Sequence, residues 1–114
     1  MWRTTIHSQG LEIETPLRTF IEGQLRAALV GCEWRVSHVH VRLYGDPDND
    51  VYTCYVRVDM PLSADIALGE AASDLRVAVE RAIARMGLSV RSRGELPSAG
   101  EAHAARDLVR VAAA

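Results

Sequence analysis

A chain of 114 residues that is 48% hydrophobic can bury one sizeable core, and it has no room for a second domain of similar size. Its formal net charge is −2 and its aromatic content 5%, so Ala, Val and Leu must do most of the packing. Any attraction for a polyanion must come from how charge is placed, not from its total. Arg3, Thr4 and Thr5 interrupt any apolar run near the N-terminus, and no stretch approaches transmembrane length. A soluble cytoplasmic protein with no membrane partner is expected. In that setting Cys32 and Cys54 read as buried thiols, not as a disulfide.

In chain order, residues 2–8 alternate as a strand, with Trp2, Thr4 and Ile6 on one face and Arg3, Thr5 and His7 on the other. Gly10 breaks the run. Thr15-Pro16 predicts a helix start, Thr15 as the cap and Pro16 in the first turn, where its missing N–H costs nothing. Leu17, Phe20, Ile21, Leu25, Ala28 and Leu29 then recur at helical spacing as far as Gly31.

Residues 34–44 predict a strand with Val39, Val41 and Leu43 on one face. Trp34 and Val36 fall out of phase, so either the strand begins near Ser37 or a bulge shifts it. The run Gly45-Asp46-Pro47-Asp48-Asn49-Asp50 is a turn. Residues 51–60 return as a strand, with Cys54, Val56 and Val58 inward and Thr53, Tyr55 and Arg57 outward. Residues 65–68 form a short strand, and Ser73 or Asp74 caps a second helix.

In that second helix Leu75, Ala78, Val79, Ala82, Ile83 and Met86 make one apolar stripe, with Arg76, Arg81 and Arg85 off it. Its pattern weakens from Gly87, where the helix is expected to end. Residues 1–70 carry a net charge of −4, residues 71–93 a net of +3 and residues 94–114 a net of −1. A weakly acidic chain has gathered its positive charge on one helix and its exit. All 13 basic residues are Arg, whose guanidinium favours bidentate phosphate contacts.

The order strand, helix, three strands, helix predicts an α+β fold. A right-handed crossover places the first strand parallel to the second, and hairpins make the other pairs antiparallel. One apolar stripe per helix then places both helices on the same face of a four-stranded mixed sheet. The opposite face is left to Arg3, Thr5, His7, His38, His40, Arg42, Tyr55 and Arg57. The fold is expected to occupy residues 1–93, followed by a flexible Ala-rich tail over 94–114 in which only residues 104–111 have the pattern of a short helix.

Three local motifs carry a resemblance to a known family. They are Thr15-Pro16-Leu17-Arg18 leading to Phe20-Ile21-Glu22, then Val39-His40-Val41-Arg42-Leu43 with Val56-Arg57-Val58 and Pro61, and finally Asp74-Leu75-Arg76-Val77-Ala78-Val79-Glu80. In this order, over about residues 4–92, the chain resembles the ribosome hibernation-promoting factor family, which includes ribosome-associated inhibitor and small-subunit interface proteins. The resemblance implies a β-α-β-β-β-α fold and binding to the small ribosomal subunit and its RNA, with translation lowered in stress or stationary phase. The RNA-binding positions it implies are Arg76, Arg81, Arg85, Arg91 and Arg93, with Arg18 and Arg26 on the first helix. Unlike typical short members of the family, this chain has no Lys and is net acidic.

No other constellation rises to a site. His38 and His40 share a strand face and His7 lies on the neighbouring strand. With no Cys or carboxylate evidently joining them they read as solvated sheet histidines, and no metal or other cofactor is expected. The Asp-rich turn lacks the glycine and the closing Glu of a calcium loop. No nucleophile elbow or paired-carboxylate spacing occurs, so no enzyme activity is expected. Trp2 and Trp34 read as packing anchors more than base-stacking platforms, with Trp34 exposed if the bulge exists. The competing reading is a module of the same fold that binds protein through its exposed sheet face, including a homodimer.

Overall fold

The computed structural model describes residues 2–93. Strand β1 is Arg3–Gln9, helix α1 Thr15–Ala28, strand β2 His38–Asp46, strand β3 Val51–Asp59, strand β4 Ile66–Ala72 and helix α2 Leu75–Arg93, with single 3₁₀ turns at Glu33–Arg35 and Pro47–Asn49. The sheet order is β1-β2-β3-β4. β1 runs parallel to β2, with Ile6 opposite Val41, and the other two pairs are antiparallel. This is the expected β-α-β-β-β-α order and mixed sheet. The tail at 94–114 lies outside the described residues.

The core is one cluster between the sheet and the two helices. Ile6, Leu25, Val41, Val56, Val79 and Ile83, from both helices and three strands, are all buried in it. Cys32 and Cys54 are buried free thiols, as read. Because β1, β2 and β4 run in one direction and each helix returns against the strand before it, α1 and α2 lie parallel, with their N-terminal ends together. Gly10 has φ +79°, and a side chain there would strike the carbonyl of Gly45, so the bend after β1 passes directly against β2.

Several boundaries differ from the sequence reading, each for a physical reason. The N-cap of α1 is Glu14, without a side-chain bond, and Thr15 is already helical. The phase slip before β2 is a 3₁₀ turn over Glu33–Arg35, so the strand begins at His38 without a bulge. β4 is longer than expected because Gly69, Ala71 and Ala72, weak strand formers, are carried by pairing with Tyr55, Thr53 and Tyr52.

The largest correction is at Gly87. The helix passes straight through it to Arg93, and Gly87 is buried. A Cβ at this position would lie 3.0 Å from the Ala28 carbonyl oxygen and 3.1 Å from the Ala28 Cβ. Gly87 is where α2 approaches the backbone of α1.

Candidate nucleic-acid interface

Continuation of α2 to Arg93 puts all five of its arginines on one helix, but their surroundings divide them. Arg76 and Arg81 are exposed, and among the described residues their side chains form no hydrogen bond or ion pair. The Arg76 guanidinium lies over the Phe20 ring of α1, 4.8 Å from its centroid. Its backbone N–H is capped by Asp74 Oδ1 at 2.8 Å, which settles the choice between Ser73 and Asp74.

Arg85 differs from the expectation of an outward-facing cation. It is half-buried and donates from Nη1 to Glu70 Oε1 at 3.0 Å, so its charge is largely neutralised by β4.

Arg91 and Arg93 are anchored but not neutralised. Arg91 Nη2 donates to the carbonyls of Ala28 at 3.2 Å and Val30 at 2.9 Å, satisfying acceptors that the end of α1 leaves open. Arg93 Nη1 donates to the carbonyl of Ala64 at 2.6 Å. Carbonyls carry no net charge, so both guanidinium groups remain cations held in place with donors to spare. Arg18 and Arg26 are exposed on α1.

Two residues beside this cluster were not singled out as binding residues. Arg35 donates from Nη1 to the Arg91 carbonyl at 3.4 Å, and its guanidinium lies 4.8 Å from the centroid of the Trp34 ring. Trp34 is 70% exposed and is therefore not a packing anchor. The phase slip in the sequence was the available signal. The 3₁₀ turn Glu33–Arg35 leaves its middle residue facing outward.

The opposite face of the sheet carries the eight residues expected there, all partly or fully exposed. Tyr55 is 50% exposed and its ring covers Gly69, where a Cβ would come within 2.7 Å of it. His7, opposite Arg42, does not join the other histidines. Instead His38 and His40 stack with ring centroids 3.8 Å apart, and a carboxylate that the sequence reading did not place there, Asp59, bonds His40 at 3.0 Å. Partial desolvation, and then the neighbouring His40, hold the His38 pKa below its ordinary 6.5. The hydrogen bond from His40 holds Asp59 below the usual carboxylate range.

The fold recurs in solved structures. A ribosomal subunit interface protein from Coxiella burnetii superposes with a TM-score of 0.72 at 16% identity, over 81% of this chain and 97% of that one. The chain has the fold of that protein. The N-terminal domain of Protein Y from Thermus thermophilus superposes with a TM-score of 0.68 at 22% identity, over 79% of this chain and 96% of that one. No protein-family model and no curated protein matches the sequence. The resemblance read from the three local motifs therefore holds at the level of the fold. Among the described residues no helix is long and apolar enough to cross a membrane.

Proposed function

We propose that this protein is a ribosome-associated factor that binds the RNA of the small subunit through its helices and lowers translation under stress or in stationary phase. Its role is binding, not catalysis. The contact residues on α2 are Arg76, Arg81, Arg91 and Arg93, with Arg18 and Arg26 contributing from α1. Arg85 belongs to the fold through Glu70.

The observation that carries this reading is the placement of the cations. Each helix has an acidic residue at its N-cap, Glu14 for α1 and Asp74 for α2, but none within its first turn. Arg18 and Arg76 stand close behind those caps, near helix ends where the dipole disfavours a cation. An external anion such as a backbone phosphate would complement these exposed arginines. The fold shared with a ribosomal subunit interface protein supports the ribosome as the source of that anion.

Titration of purified small subunits at several salt concentrations tests the proposal. Displacing counterions from about four phosphates should weaken binding roughly a hundredfold between about 50 and 200 mM salt. A nearly salt-independent affinity would favour a protein contact through the sheet face, where Tyr55 is half exposed.

A further inference from the structure

On the sheet face turned away from both helices, one donor atom from each of His38, His40 and Asp59 converge within 4.8 Å of one another. His38 and His40 alternate onto this face from β2, and Asp59 is the β3 partner directly opposite His38. The Thr5 hydroxyl, 2.6 Å from His38 Nε2, steadies that ring from β1.

The hydrogen bonding at this point is internally inconsistent. His40 Nε2 lies 3.0 Å from Asp59 Oδ2 and also 3.0 Å from Arg57 Nη2. If Nε2 carries a proton it can donate to the carboxylate, but it then opposes the guanidinium N–H. If it does not, it accepts from Arg57 and sets its lone pair against the carboxylate oxygen. No tautomer satisfies both contacts. Asp59 Oδ1 is buried with no hydrogen-bond partner, although Arg57 Nε is 3.3 Å away, near enough for charge attraction but poorly aligned. Three Lewis bases are gathered here within 4.8 Å of one another, and a compact cation would satisfy them better than a planar guanidinium.

We infer that His38, His40 and Asp59 form a binding site for a divalent transition-metal ion, with Arg57 standing in for the cation when the site is empty. Two imidazoles and one carboxylate suit zinc and its neighbours, whereas magnesium and calcium prefer all-oxygen shells. Ligands about 2.0–2.1 Å from a tetrahedral zinc are roughly 3.3 Å apart, and the His40–Asp59 pair already stands at 3.0 Å. To complete the set the His38 ring must rotate out of its 3.8 Å stack on His40. The Arg57 side chain is 54% exposed and can swing into solvent, which leaves the outer coordination positions to water. The site is on the face opposite the helix arginines, so it stands or falls independently of ribosome binding.

Calorimetric titration of the full chain with zinc sulfate, in buffer freed of other metals, should show one ion bound per chain. His38→Ala and His40→Ala should each weaken binding by more than about tenfold, while His7→Ala should leave it unchanged. Arg57→Met removes the competing cation and should tighten binding by up to about fivefold. All four side chains point out of the core, so far-UV circular dichroism should be unaltered. Absence of saturable binding in both the parent and Arg57→Met would overturn the site. So would a folded His38→Ala/His40→Ala double variant that binds zinc like the parent.

Discussion

Arg91 Nη2, near the end of α2, lies 2.9 Å from the carbonyl oxygen of Val30, just past the end of α1. A side chain with the sequence signature of a phosphate ligand thus also closes one helix from the other. A cation at a helix C-terminus is favoured by the dipole as well as by the hydrogen bond. Arg91→Ala should therefore cost about 1 kcal/mol, or a few degrees of melting temperature for a domain of this size. Arg81→Ala should change neither. A thermal melt distinguishes the two, and equal melting temperatures would show that the Arg91 contacts contribute nothing.

A Cβ at Gly87 would meet the Ala28 carbonyl oxygen and Cβ where α2 packs on the end of α1. A larger side chain there must push on backbone, which cannot rotate away. Gly87→Val should destabilise by about 1–3 kcal/mol through overpacking, despite replacing a weak helix former. Denaturant unfolding would measure this. A gain in stability would mean that the helix pair separates without cost.

Burial pushes the Cys54 thiol up to about 12 from an ordinary 9.0. The folded value is raised, so the contribution of the neutral thiol is complete below pH 9 and is lost as pH rises towards 12. Stability should fall across that alkaline window, with a shallower fall in Cys54→Ala. Thiol reagents should leave Cys54 unmodified under native conditions near neutral pH. Rapid labelling of the folded protein would contradict its burial.

The sheet and its faces were legible in the sequence because period-two alternation is a local property of β2 and β3, and one core satisfies both helices at once. The end of α2 was not. Gly87 carries the same local signal whether it stops a helix or lets a second one approach, and only the position of Ala28 decides. The roles of the arginines were hidden for a similar reason. Glu70, Val30 and Ala64, which receive Arg85, Arg91 and Arg93, lie 15, 61 and 29 residues away along the chain. Asp59 was overlooked beside the histidines because register, not alternation, sets it opposite His38. Trp34 was misjudged because a large apolar residue is assumed to pack, whereas the 3₁₀ turn before β2 turns it outward.

The claim that the helix arginines hold the ribosome is tested most directly by co-sedimentation with small subunits. The informative variant is Arg76→Glu/Arg81→Glu, because these side chains are free of ion pairs among the described residues and their reversal leaves the core intact. Arg85→Glu would confound the result by setting a second carboxylate against Glu70. The parent should migrate with the subunit. The double reversal should remain at the top of the gradient, and Arg3→Glu/Arg42→Glu on the sheet face should migrate like the parent. Failure of the parent to migrate with the subunit, or retention of the helix variant with loss of the sheet variant, would contradict the claim.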